Sequence, residues 1–500
     1  MTPATRVASR LSAMRAGPRG AVYAGLGALA GLGQSPWGLW PVTIVALAIA
    51  LSAARHEIGL RRAIWAGWAL GAGYFALTLH WIVQPFLVDV ARHGWMAPFA
   101  LLLMAAGAGA FWAAAFGLAH RLSLRSGLPA LIAMLALAEL ARSLILTGFP
   151  WALIGHVWIG TPIAQLSAIT GPHGLTLFTL ALAGGLAAAG LRVWLALPAL
   201  VLAAGWIAFD PGPPGQVDED RPLVRIVQPN ARQDLKWQPG MAEYFYDRLL
   251  TLSIGDPAGP VPDVTIWPET AVQWLLEQAE DRLARAAHLT ASPVVTGIQR
   301  REGRRYFNSL VVVDEAGAIV DLYDKWHLVP FGEYMPLGEV MARFGIHGLA
   351  ASEGGGYTPG DGPALVRIPG LGSALALICY EGIFAEEVRA APNRPDFLLL
   401  LTNDAWFGNW AGPEQHLAQA RLRAIEQGLP LVRAANTGIS AMIDAKGRIL
   451  GEIPLNTEGT LDLALPAPGM ATPYSRYGDW PVGLLLFLLS GAAFYGARRE

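Results

Sequence analysis

The sequence predicts an α-helical transmembrane bundle of about eight spans joined to an extramembrane mixed α/β domain. Three observations predict it. The 500-residue chain is 53% hydrophobic and only 15% charged, with a mean hydropathy of +0.39, an apolar balance foreign to ordinary soluble domains. Long apolar runs crowd the first 209 residues and return at 480–496. Between them, short β-branched runs alternate with stretches of helical period.

Arg6, Arg10, Arg15 and Arg19 precede the first apolar run, 21–33. Alone that run would pass for a signal peptide; the runs that follow make it a first anchor. They lie at 37–53, 63–83, 97–119, 127–141, 174–190 and 193–209, with an eighth at 480–496. Several approach the ~20 residues that cross a hydrocarbon core. A cytoplasmic N-terminus puts Arg55, Arg61, Arg62, Arg121, Arg125, Arg192, Arg498 and Arg499 on the cytoplasmic side and only Arg92 and Arg142 opposite, the positive-inside pattern. Seven crossings then deliver the α/β part to the periplasmic side, and the eighth returns the tail to the cytoplasm.

The spans are rich in Gly and Ala, which favours close helix packing in lipid. His80 and Glu139 are costly there and read either as marks of a pathway or as residues near span ends, within reach of interfacial water. Gly148-Phe149-Pro150-Trp151, with Trp158, reads as a lipid-contacting lip or an interfacial anchor on the outer face.

The expected domains are 1–209 for the bundle, 210–220 for a linker, 221–470 for the α/β domain and 471–500 for the last span and tail. Asp210-Pro-Gly-Pro-Pro-Gly215 marks the linker, because consecutive prolines and glycines break spans and strands alike. Strands are expected at 223–227, 264–267, 293–298, 309–313, 374–379, 397–402, 431–434 and 439–443, with helices at 241–253, 275–289 and 414–427. Their alternation, with a few hairpin-like pairs, indicates an α/β sandwich.

Composition also excludes. A formal net charge of -2 offers no general attraction to nucleic acid. One cysteine rules out an intrachain disulfide and a cysteine zinc cluster. No two histidines show ligand spacing, so no metal is expected, and His327 and His416 read as structural or substrate-orienting.

Three polar sites sit at strand ends or just beyond them, where an α/β fold places its chemistry. In Ile266-Trp267-Pro268-Glu269-Thr270 a strand meets a proline that stops pairing, and a carboxylate follows; Glu269 is a candidate general base. In Tyr323-Asp324-Lys325-Trp326-His327-Leu328-Val329-Pro330-Phe331-Gly332-Glu333 a lysine lies among aromatics able to desolvate it. Lys325 could stabilise an oxyanion and lower the pKa of a nearby thiol, with Glu333 holding the ammonium. The third is Cys379, the only cysteine, followed by Tyr380 and Glu381 at the end of an apolar run. Base, cation and nucleophile together suffice for acyl transfer through a thioester. Gly354 to Gly360 reads as a flexible lid or turn, Asn403-Asp404-Ala405-Trp406-Phe407-Gly408 as a pocket wall, and Trp237 as a pocket wall or core aromatic.

Trp-Pro-Glu at 267–269, Asp-Lys-x-His-Leu-Val-Pro-Phe-Gly-Glu at 324–333, Cys-Tyr-Glu at 379–381 and Thr-Asn-Asp-x-Trp-Phe-Gly at 402–408 resemble the bacterial apolipoprotein N-acyltransferases, membrane-embedded members of the nitrilase, or carbon-nitrogen hydrolase, superfamily. The resemblance implies a nitrilase-like αββα sandwich on the periplasmic side of the inner membrane. It carries over a triad of Glu269, Lys325 and Cys379 with Glu333 in support, and functional positions at Trp237, Tyr380 and Glu381. It implies no cofactor, an acyl donor such as phosphatidylethanolamine, and diacylglyceryl-modified apolipoproteins as acceptors. A membrane-tethered amidase for a small amide would use the same triad, and a transporter or receptor would leave Cys379 inert.

Overall fold

The computed structural model describes residues 14–122, 127–188, 205, 212, 220–255, 259–336 and 356–499. The expected span at 193–209 and most of the linker lie outside them. Two compact units emerge, one of residues 1–212, 410–422 and 472–500, the other of 213–409 and 423–471.

The first unit is helical. The other seven expected spans coincide with the helices Ala16–Gly31, Trp40–Ala54, Leu60–Thr78, Ala97–Leu122, Gly127–Arg142, Ser167–Ala188 and Trp480–Arg499. Small residues bring them together. A Cβ on Gly71 would stand 2.9 Å from Gly109 Cα, and one on Gly27 would stand 1.9 Å from the Leu70 carbonyl oxygen. Such glycines let backbones touch where lipid offers no hydrophobic drive to associate.

Among the described residues, two segments, Val90–Leu122 and Pro162–Ala188, suffice by length and apolar character to cross a membrane; Leu60–Thr78 with His80–Leu87, bent by 50°, makes a third if it is one span. One of the eight expected spans lies outside the described residues, and for the others the shortfall is one of length. A 16-residue helix such as Gly127–Arg142 rises about 24 Å at 1.5 Å per residue, less than the ~30 Å hydrocarbon core.

Glu139 and His80, the polar residues singled out in the spans, are paired in this unit. Glu139 accepts from Trp112 Nε1 at 2.8 Å and forms an ion pair with Arg142 at 2.9 Å. Arg142 lies over the Phe75 ring and donates to the carbonyls of Phe149 and Trp151, holding the Gly148–Trp151 loop. His80 bonds the Leu77 carbonyl at 2.7 Å and packs against the rings of Trp37 and Trp410. Both residues serve local structure. Gln415 Oε1 accepts both the Trp81 and Trp151 indole N–H groups, and its amide donates to the carbonyls of Ser35 and Thr78.

The second unit is a sandwich of two sheets. One contains β1 (Leu223–Gln228), β2 (Val264–Ile266), β3 (Val272–Leu275), β4 (Val294–Glu302), β5 (Arg305–Val313), β6 (Ile319–Asp324) and β13 (Gly459–Ala464), in the order β13-β1-β2-β4-β5-β6 with β3 beside β4. The other contains β7 (Leu365–Ile368), β8 (Gly372–Ile378), β9 (Phe397–Thr402), β10 (Leu431–Ala435), β11 (Ser440–Ile443) and β12 (Ile449–Ile453), in the order β12-β11-β10-β9-β8-β7. Alternate residues such as Val224 and Ile226, Val264 and Ile266, Ala376 and Ile378, and Leu399 and Leu401 form one core between the sheets. Val227, Trp267, Val294 and Ile298 face the other way, onto Met241–Ile254 and Leu276–Thr290.

β1, β2 and β4 run parallel, as do β8, β9 and β10. Parallel neighbours need long crossovers, so Met241–Ile254, Leu276–Thr290 and Gly412–Gln427 stand between them in the chain. Glu269, Lys325, Cys379 and Asn403 follow the C-terminal ends of β2, β6, β8 and β9. Edge strands β6, β7, β12 and β13 were not expected from the sequence, because half-exposed residues dilute their apolar pattern.

Gly297 on β4 fits against the chain that presents Glu269. A Cβ there would stand 2.5 Å from both Glu269 Cα and Thr270 N, and backbone cannot swing aside. Gly297→Ala is expected to cost about 1–3 kcal/mol of stability, read as a lower unfolding midpoint of the full-length protein in detergent.

Candidate active site

Glu269 owes its position to a strand that ends in a buried anchor. Trp267 is fully buried and its indole donates to Ser253 Oγ at 2.8 Å; Pro268 then stops pairing and the carboxylate turns inward. Its Oε1 accepts from Asn308 Nδ2 at 2.8 Å and its Oε2 from the Asn403 backbone N–H at 2.7 Å. Lys325 Nζ stands 3.8 Å from Glu269 Oε1 and 2.9 Å from Glu333. The second carboxylate is itself held by Asn308 Nδ2 at 3.0 Å and by the Val329 N–H at 2.8 Å. All of these side chains are buried.

Cys379 begins the turn after β8 with a φ of +53°, a left-handed conformation that is costly for a residue with a Cβ. Its thiol is buried, hydrogen-bonded to the Thr402 side chain, and within the electrostatic reach of Glu269 and Lys325. The structure thus brings together Glu269, Lys325, Glu333 and Cys379.

Electrostatics set the resting state. Burial pushes the Cys379 thiol well above its ordinary value; the Glu269 charge adds to this and Lys325 opposes it. Burial also raises the Glu269 pKa, against the pull of Lys325. For Lys325 burial favours the neutral amine, but Glu333, Glu269 and Cys379 outweigh it and hold the ammonium. The site therefore combines a protonated thiol, a carboxylate of raised basicity and a fixed cation.

Glu381 is fully buried. Its Oε1 accepts from Tyr323 O–H and Trp326 N–H, both at 2.8 Å, and from His327 N–H at 3.3 Å, while Oε2 accepts from Ile378 N–H at 2.7 Å. Burial nevertheless pushes its carboxyl up to about 7. Glu381 thus ties the turn carrying Cys379 to the segment after Lys325. Tyr380 is buried with its ring edge-on to His327 and Phe384. His327 pairs with Glu387 at 2.5 Å and stacks on Phe384; His416 packs against Trp151 in the helical unit. Trp237 is half-exposed beside Lys236, and Tyr357, in the glycine-rich turn, bonds the Gln299 amide.

Sequence reasoning missed Asn308, Thr402 as a thiol partner, Tyr323 and Gly297. The available signal was a polar residue inside an apolar strand: Asn308 follows buried Phe307 and is itself buried, which for an amide requires partners. Among the described residues, no group of three or more His, Cys, Asp or Glu is arranged to hold a metal.

The family model described as carbon-nitrogen hydrolase matches residues 239–472, and that described as apolipoprotein N-acyltransferase N-terminal domain matches residues 26–186. The apolipoprotein N-acyltransferase of Rhodopseudomonas palustris is 40% identical over 93% of this chain and 92% of its own length. Those of Brucella melitensis and Caulobacter vibrioides are each 37% identical over 95% of this chain, and over 95% and 93% of their own lengths. Among solved structures, an amidase from Nesterenkonia sp. aligns at 19% identity and a TM-score of 0.39, covering 54% of this chain and 98% of that one. With both parts matched by their family models and relatives aligned over nearly the whole length, the chain belongs to the apolipoprotein N-acyltransferase family, and its α/β unit to the carbon-nitrogen hydrolases.

Proposed function

We propose that this protein transfers an acyl chain from a phospholipid, through a thioester on Cys379, to the N-terminal amine of diacylglyceryl-cysteine in apolipoproteins. The observation that carries the reading is the convergence of one carboxylate, one ammonium and the chain's single thiol in a buried site. The small-amide alternative is less favoured, because the three relatives described above, which match this chain along nearly their whole length, are named apolipoprotein N-acyltransferase.

In the first step Glu269 takes the thiol proton and the sulfur attacks the ester carbonyl. Lys325 and backbone N–H groups of the turn meet the oxyanion. Collapse breaks the carbon–oxygen bond, Glu269 returns the proton to the departing oxygen, and a lysophospholipid leaves. In the second step the lipoprotein amine attacks the thioester, Glu269 takes its proton, and the amide forms as sulfur leaves and is reprotonated. Glu333 and Glu381 act by holding Lys325 and the Cys379 turn, and Tyr380 and Trp237 are proposed as substrate-facing or supporting aromatics.

The membrane assignment belongs to the same reading: a bundle of eight spans in 1–209 and 471–500, a linker at 210–220, and a catalytic domain at 221–470 on the periplasmic face of the inner membrane with both termini cytoplasmic. Its support is the asymmetry of basic residues. Phosphatidylethanolamine is the proposed donor, and an apolar site favours the amine over water as acceptor.

Incubation with phosphatidylethanolamine vesicles is expected to add the mass of one acyl chain to the wild type and nothing to Cys379→Ala; no adduct on the wild type would sink the thioester. Lys325→Ala is expected to slow adduct formation about 10²–10³-fold, as loss of an oxyanion partner does elsewhere. Because Glu269 must be ionised to take the proton and its pKa is raised, the acylation rate is expected to fall as pH drops through a value above the ordinary ~4.3 of a glutamate. A rate that stayed flat down to pH 4 would remove Glu269 from the role of base.

A further inference from the structure

Lys236 is a buried ammonium that the mechanism leaves unused. Its side chain is 1% exposed, yet among the described residues no carboxylate lies within 4 Å of it. Its Nζ stands 3.5 Å from Thr270 Oγ1 and 5.6 Å from the centre of the Trp237 ring. Neither neutralises a charge, and a buried ammonium without a counter-ion is expensive.

Two links place this lysine beside Glu269. Thr270, its hydrogen-bond partner, directly follows Glu269. The helix Gln233–Lys236 also reaches the far side of that carboxylate: Gln233 Oε1 accepts from Asn403 Nδ2 at 3.0 Å, and the Asn403 backbone N–H is the donor to Glu269 Oε2. Burial pushes Lys236 down to about 8, and Glu269 is the charge that opposes this.

A charge count gives the lysine a purpose. Glu269 and Glu333 bring two negative charges and Lys325 one positive, and moving a proton from Cys379 to Glu269 leaves that balance unchanged. The other groups around them do not correct it: Tyr357 is a neutral phenol, Asp404 already has the guanidinium of Arg433, and Glu381 is met by neutral O–H and N–H donors. The site so composed carries at least one uncompensated negative charge in a dry interior.

We infer that Lys236 is the second cation of this site, an electrostatic positioning residue that offsets the charge shared by Glu269 and Cys379 and so eases ionisation of that pair. The inference rests on the reading of Glu269 and Cys379 as base and nucleophile. It requires Lys236 to touch no substrate: it acts through Glu269.

The test uses the full-length protein in detergent and needs no lipid substrate. Cys379 is the only cysteine, so alkylation by iodoacetamide, followed by intact mass, reports its ionisation alone. Below about pH 8, where Lys236 is charged, removing that charge makes each ionisation of the Glu269–Cys379 pair harder, so Lys236→Met is expected to need a pH about one unit higher for the same alkylation rate. On the rising limb that is about a tenfold slower reaction at fixed pH. Lys236→Gln is expected to match Lys236→Met, and Lys236→Arg to keep the wild-type profile. A neutral variant that folds and superimposes on the wild type overturns the inference, as does an Arg variant shifted as far as Met, which would show that shape and not charge was lost. A failure of phospholipid to acylate the wild type would count against the proposed function and leave this alkylation result standing.

Discussion

An ammonium and two carboxylates buried together must satisfy one another, and the geometry of the α/β unit follows from that constraint. Lys325 can stay charged in a dry interior because Glu333 and Glu269 flank it, and the carboxylates can stay charged because Asn308 binds both. Backbone pairing sets the spacing. β5 and β6 are in register at Ser309 and Asp324, and the Lys325 N–H continues the ladder onto the Asn308 carbonyl at 2.8 Å. The amide and the ammonium are therefore neighbours by strand register, before any side-chain preference acts. Removing one member would leave the others as unpaired buried charges, the costly case for an interior ion pair.

The cysteine turn obeys the same logic at the level of backbone. A non-glycine residue at φ +53° persists only where its surroundings over-determine it. Glu381 supplies that determination, since one oxygen engages the last residue of β8 and the other the segment after β6. A carboxylate two residues beyond the thiol thus works as a bracket between the Cys379 turn and the segment after Lys325. On the far side of Cys379, β9 presents Thr402 to the sulfur and Asn403 to the base, so one strand end orients both.

The helical unit shows the apolar version of the problem. Indole N–H groups and a carboxylate must find partners where lipid offers none, and they find them in a few hubs. Glu139 joins Trp112 to Arg142, and Arg142 collects the carbonyls of the Phe149–Trp151 loop. Gln415 uses both ends of its amide, on two tryptophans and two carbonyls. What reads in isolation as a charge placed for transport is, with its partners in view, a fastening for a loop.

Composition and local pattern determined a good deal alone. Apolar runs located seven helices, because a helix in an apolar environment leaves its mark residue by residue. Short apolar runs located the central strands for the same reason, since strands buried on both faces are continuously hydrophobic. The residues that the proposed chemistry uses stood out too: Glu269, Lys325 and Cys379 follow strand ends, where a polar side chain interrupts a pattern visibly, and Glu333 lies in the loop after Lys325. Tertiary structure decided what depends on pairing between distant residues. Exposed edge strands carry weak patterns, so β6, β7, β12 and β13 are defined by their hydrogen-bonding neighbours. Apolar composition points to eight spans, whereas among the described residues length and apolar character together single out two segments, or three with the bent pair. Asn308 acquires its role from Glu333 and Glu269, 25 and 39 positions away, Tyr323 from Glu381, 58 positions away, and Thr402 from Cys379, and Lys236 from a charge count that exists only once the site is assembled. Sequence records what each residue needs; only the fold records which partner meets that need.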